Sequence, residues 1–141
     1  MARAESGATA SGGESIVSLP ESSLGYLPIV LAAVTGVIHL FLAPQVIGFS
    51  QTLGILFALN GLGFLGGTAI YLTRYWQREL FAVAAGYALV TFVAFFLWGG
   101  FDGFASAFYM GGELNVMAVI AKTAEVLLVV SALALYTNTE T

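Results

Sequence analysis

A chain of 141 residues that is 59% hydrophobic and only 9% charged is not balanced for water, since soluble domains carry about 25% charged residues. Its mean hydropathy of +0.93 excludes an ordinary soluble enzyme and indicates one integral membrane domain. Four basic residues against eight acidic ones, net −4, exclude a nucleic-acid-binding footprint, and the lack of cysteine excludes disulfides, a thiolate metal site and covalent haem attachment.

The chain begins "MARAESGATASGGESIVSLPESSL". No positive segment leads directly into an apolar core, so this is not a signal peptide. Its Gly, Ser, Ala and Glu content buries too little surface to fold. Residues 1–24 are therefore predicted to be a disordered acidic tail, with room for a short interfacial turn around residues 16–19.

Four stretches follow that reach the roughly 20 apolar residues a membrane span needs: 25–43, 50–72, 79–98 and 114–136, leaving 137–141 as a short C-terminal tail. None shows the alternation of a barrel strand, and helices are the other way to satisfy a backbone in hydrocarbon. The expected fold is all-α, a four-transmembrane-helix up-down bundle behind a disordered N-terminal tail.

Arg74 and Arg78 lie between spans two and three, and Arg3 in the tail, while the two other connections, 44–50 and 99–113, hold no Lys or Arg. The positive-inside rule then predicts a multi-pass protein of the cell membrane with both termini cytoplasmic. Aromatic residues fall at matching depths, Tyr26, Tyr71, Trp76 and Tyr136 near the inner boundary and Trp98 near the outer one. In the second outer connection, Asp102 is placed to cap a short helix with Phe101, Phe104 and Phe108 on one side. That helix is expected to lie on the outer surface as an interfacial anchor or a lid, hinged at glycine pairs 99–100 and 111–112. "VTGVIHLFL" (34–42) and "VTFVAFFLW" (90–98) share a pattern, which an old duplication of a helix pair would leave.

Polar residues interrupt every span. At about 1.5 Å per residue from the inner boundary, Lys122 and His39 lie near ~21 Å, Asn60 and Thr91 near ~18 Å and Glu125 near ~16 Å. Helical spacing puts Ala118, Lys122, Glu125, Val129 and Ala132 on one face, with Pro28, Ala32, Thr35 and His39, with Asn60, Gly63 and Gly67, and with Ala84, Tyr87, Thr91 and Ala94 on the others. Stripes of small residues are where membrane helices approach. The four stripes are expected to face one another and gather His39, Asn60, Thr91, Lys122 and Glu125, with Tyr87 as a contributor. Gly63, Gly67, Ala82 and Gly86 are read as helix-packing positions.

A charge at a span's centre costs about 2.5 to 3.5 kcal/mol on insertion scales. Such residues therefore carry out a function or, as a neutral pair, fix helix packing at about 0.6 to 2 kcal/mol per interhelical bond. Residues 61–66, "GLGFLG", fit the dinucleotide pattern GxGxxG but lack a preceding strand and an acidic ribose partner. One histidine cannot build a zinc site, haem would need His39 from two subunits, and no serine sits in a nucleophile elbow. No catalytic residue, metal site or cofactor is expected.

The acidic tail together with "GVIHLFLAP", "LNGLGFLGG" and "AKTAEVLLVVSALALY" resembles small four-span membrane proteins of halophilic archaea, from families without an assigned function, over residues 25–136. The acidic, lysine-poor balance agrees with high salt, where the Debye length is only about 3 Å at 1 M. The resemblance implies a location and a fold and transfers no site residue. The expected function is a non-enzymatic accessory or structural protein of the lipid bilayer, homo-oligomeric or part of a larger membrane complex. The alternative is a small proton- or ion-coupled transporter or channel, with Glu125 carrying the charge, Lys122 tuning it and His39 relaying it.

Overall fold

Four long helices carry the chain in a computed structural model that describes residues 15–48, 50–99, 109–110 and 112–139. They are α1 (Leu27–Ile47), α2 (Gln51–Tyr71), α3 (Arg78–Gly99) and α4 (Val116–Asn138). All four are long and apolar enough to cross a membrane. Between α3 and α4 a two-stranded antiparallel ribbon pairs β1 (Tyr109–Met110) with β2 (Glu113–Leu114). Gly112 in its turn takes φ 84°, a left-handed conformation that glycine adopts without strain. The expected surface helix with Asp102, Phe101, Phe104 and Phe108, and the Trp98 side chain, lie outside the described residues.

Local chemistry explains the helix ends. The Ser50 side chain accepts from Leu53 N at 3.2 Å and caps α2, and Asn115 does the same for α4 through Ala118 N at 3.2 Å. Pro28 stands in the first turn of α1, where a missing N–H costs nothing. Pro44 does not end this helix at residue 43 as anticipated. The proline is tolerated in the last turn, and α1 continues to Ile47. At the other end of the chain, α4 takes in residues 137–138 of the expected tail.

The tail boundary also moves. Val17 forms a β-bridge with Thr73, Ser18 N donates to Leu72 O at 2.7 Å and Arg74 N donates to Ile16 O at 2.8 Å. A 3-10 turn, Ser23–Tyr26, then leads into α1. Residues 15–24 are thus folded against the α2–α3 connection. Composition alone could not reveal this, because the bonds are backbone to backbone.

The helices pack α1 on α2, α1 on α4 and α3 on α4. Phe64, Leu31, Ala32, Ala88, Ala124 and Leu128 form the shared core. The α1–α2 seam is the tightest. A Cβ on Gly61 would stand 2.7 Å from the Gly36 carbonyl oxygen, and one on Gly54 would stand 2.7 Å from Ile47 N. The fourth seam, α2 against α3, is wide. Large apolar side chains such as Val37, Leu62, Val90 and Val130 cover the outside, as a helix surface facing hydrocarbon requires.

Candidate functional site

Two separate polar groups occupy the bundle, where the sequence suggested one. The first joins α1 to α4. Lys122 Nζ stands 2.7 Å from Glu125 Oε1, one turn apart on α4. Thr35 Oγ1 on α1 donates to Glu125 Oε2 at 2.6 Å, the length of a charge-assisted bond to a carboxylate. His39 Nδ1 lies 2.8 Å from the Thr35 carbonyl oxygen and 3.3 Å from Thr35 Oγ1. A carbonyl only accepts, so Nδ1 carries a proton.

Burial makes this group unusual. Glu125 and Thr35 are 0% exposed, Lys122 5% and His39 6%. Neither lipid nor water therefore reaches the carboxylate. The Lys122 ammonium lies over the Phe95 ring at 5.0 Å, where the ring face attracts a cation. His39 is held between Phe57 and Phe64, with centroids at 5.1 and 6.2 Å. The charges are neutralised within one helix and anchored to a second by Thr35.

Asn60 and Thr91 form the second group, between α2 and α3. Thr91 Oγ1 donates to Asn60 Oδ1 at 2.9 Å, and the Tyr87 hydroxyl donates to the Asn60 backbone oxygen at 3.0 Å. Asn60 cannot join the ion pair, because its helix turns Gly61 toward α1 and Asn60 toward α3. Tyr87 serves as a bridge across the wide seam. Below it a cleft of about 220 Å³ is lined by Gly63, Gly67, Tyr71, Trp76, Phe81 and Ala84 among others.

Of the expected packing glycines, Gly63 meets a neighbouring helix, through Tyr87 of α3, while Gly67 and Gly86 do not. A Cβ on Gly63 would meet the Tyr87 hydroxyl, and one on Gly67 or Gly86 would meet nothing within 4 Å. Ala82 and Gly86 are exposed. The close approach uses Gly36, Gly54 and Gly61 instead. Thr35 is the site residue missing from the candidate list. It shares a stripe with His39 four residues on, the same signal that singled out Thr91.

At the arginine-bearing end, Arg78 Nε donates to Tyr136 O at 2.9 Å, with its guanidinium 4.0 Å from the Tyr136 ring centre. The Tyr71 hydroxyl donates to Gly25 O at 2.7 Å. Tyr71, Trp76 and Phe81 meet edge to face at 4.9 to 5.5 Å, the arrangement aromatic quadrupoles favour. These contacts tie the entry of α1, the α2–α3 connection and the end of α4 together.

Fold and site together define a small multi-pass membrane bundle built around a buried ion pair. The chain belongs to a family of unknown function (DUF7475), which it matches over residues 10–136. No curated protein and no solved structure matches it.

Proposed function

We propose that this protein is a non-enzymatic, accessory or structural component of the membrane, in which the Lys122–Glu125 pair is a device for joining α1 to α4. One observation carries this reading. Glu125 has no exposed surface; its Oε1 is 2.7 Å from the Lys122 ammonium in an ion pair, although no hydrogen bond to Oε1 is formed, and its Oε2 accepts from Thr35, so the charge is compensated from within the bundle. The exposed Ala82 and Gly86 face of α3 supports association with a helix of another chain, as a second copy or within a larger complex.

Transport is the second reading, favoured by the continuous chain from His39 through the Thr35 hydroxyl to Glu125, which could relay a proton. Reconstituted vesicles separate the two. The structural reading expects proton and cation flux equal to that of empty vesicles, unchanged by Glu125→Gln. Flux above that background and abolished by Glu125→Gln would establish the transporter.

The orientation we infer places Arg74, Arg78 and both termini in the cytoplasm. Since the chain lacks cysteine, single cysteines report it directly. Gln45→Cys is expected to react with an impermeant maleimide on intact cells and Gln77→Cys only after lysis. The opposite pattern inverts the topology. The acidic, lysine-poor balance supports a high-salt setting. Thermal unfolding should then shift upward between low and molar potassium chloride, and an unchanged midpoint counts against it.

A further inference from the structure

One end of every helix lies at a common level on the arginine-bearing side. The Tyr71 hydroxyl at the end of α2 donates to Gly25 O, just before α1, and Arg78 Nε at the start of α3 donates to Tyr136 O near the end of α4. Tyr26, Tyr71, Trp76 and Tyr136 all stand at these ends, and such a belt of amphipathic rings marks the boundary between hydrocarbon and headgroups. Residues 15–24 are held at the same level. Ser18 N donates to Leu72 O and Arg74 N to Ile16 O. Pro20 packs on Gly25, where a Cβ would stand 2.6 Å from the proline Cβ.

The segment so held leaves its large side chains uncovered. Ile16, Val17 and Leu19 are 55, 63 and 60% exposed, and Ser15, Ser18, Glu21 and Ser22 among them are exposed too. A lone pair of extended segments is marginal in water, and two backbone bonds do little against the entropy of ordering such a segment. A cluster of exposed apolar side chains marks contact with a protein or a membrane. The described residues do not supply that contact.

Position selects the partner. Uncovered apolar side chains flank the segment along the chain, Ile70 and Tyr75 on either side of its pairing partner and Leu24, Leu27 and Val30 at the entry to α1. The surface is thus continuous with the bilayer-facing outside of the bundle. Apolar residues interleaved with serines and a glutamate suit the boundary layer, where one part meets acyl chains and the other meets headgroups and water. Full burial in hydrocarbon would strip Glu21 and the serines of water.

We propose that residues 15–19 are an interfacial anchor, a strap clamped to residues 72–74 whose Ile16, Val17 and Leu19 side chains insert into the headgroup–acyl boundary of the leaflet at the arginine-bearing end. The partner is the lipid surface, and because the contact is apolar it does not depend on anionic headgroups. The bilayer completes the clamp that two backbone bonds begin. The strap is separate from the Thr35–His39–Lys122–Glu125 group and independent of its role.

Nitroxide labels on single introduced cysteines locate the strap in full-length protein, reconstituted at low density into phosphatidylcholine vesicles. Collisions with oxygen, which concentrates in hydrocarbon, are compared with collisions with a water-soluble nickel chelate. Val30→Cys on the outside of α1 is the hydrocarbon reference, and Gln77→Cys in the exposed connection is the aqueous one. The oxygen-to-nickel ratio at Val17→Cys and at Leu19→Cys is expected to fall between the two references. A second measurement leaves the strap unlabelled. Val17→Thr combined with Leu19→Gln keeps an extended backbone but removes apolar surface, so the amides of Ser18 and Arg74 should exchange about tenfold faster, the equivalent of losing one buried apolar side chain. A ratio equal to that of Gln77→Cys would place the strap in water, and one equal to that of Val30→Cys would place it in hydrocarbon. Shielding from both reagents would place it under a second copy or another protein. Any of these, or amide exchange unchanged in the double variant, overturns the proposal.

Discussion

Glu125→Gln lowers the free energy of unfolding by about 3 kcal/mol, Lys122→Met lowers it comparably, and the double variant recovers most of the loss, as for a buried pair broken and then removed. The reason lies in what each single change leaves behind. Without the carboxylate, Lys122 keeps the Phe95 ring face at 5.0 Å, and an ammonium in that environment is poorly compensated. Without the ammonium, Glu125 keeps the Thr35 hydroxyl on Oε2 but loses the cation 2.7 Å from Oε1. The double variant keeps the Thr35 bond, because a glutamine oxygen accepts it as well. Steric-trapping or denaturant unfolding in a defined detergent reads all four corners of the cycle. A coupling near zero, with singles as stable as the parent, would sink the packing reading. The membrane would then be holding two costly charges for a different purpose, and the flux measurement would decide it.

Much of this architecture is legible from residue order. Span number and approximate bounds follow from hydropathy and length. Helical spacing also puts Lys122 with Glu125 on one stripe and Thr35 with His39 on another. What spacing cannot supply is which neighbour each stripe faces. Asn60 and Gly61 are adjacent in sequence, yet a turn of about 100° per residue sends one to α3 and the other to α1. Counting depth placed Asn60 and Thr91 in the same layer as the ion pair, and depth says nothing about azimuth. The same limitation governs the glycines. Gly63 and Gly67 satisfy the GxxxG pattern, but the pattern gives a close approach only when another helix lies opposite. Opposite Gly63 stands the Tyr87 side chain, and opposite Gly67 lies the open cleft. The shared "VT" of 34–42 and 90–98 does mark parallel uses, since Thr35 and Thr91 each donate to a polar residue on a neighbouring helix. Residues 15–24 were illegible for a different reason. Their order comes from backbone bonds to Leu72 and Arg74, for which side-chain composition carries no signal.

Gly61 and Gly67 lie six residues apart on one helix and should respond oppositely to the same substitution. Gly61→Ala puts a methyl group 2.7 Å from the Gly36 carbonyl oxygen and 2.8 Å from Leu40 Cγ. The leucine can rotate, but the carbonyl belongs to the α1 backbone and cannot move alone. The seam must open by several tenths of an ångström along its tightest stretch. Overpacking of this kind costs about 1 to 3 kcal/mol, which outweighs the roughly 1 kcal/mol by which alanine favours a helix over glycine. The net expectation is a loss of about 1 to 2 kcal/mol. At Gly67 the new methyl meets nothing within 4 Å, so only the backbone effect remains and stability rises by about 0.5 to 1 kcal/mol. Side-by-side unfolding of the two variants in one detergent measures the difference. Equal effects would mean that α1 and α2 do not approach through Gly36 and Gly61. The ion pair would then lose its frame, because Thr35 stands beside Gly36 and reaches Glu125 only while α1 is held in this position. A loss confined to Gly61→Ala ties the fixed seam to the placement of Thr35, and leaves the α2–α3 seam as the open side of the bundle.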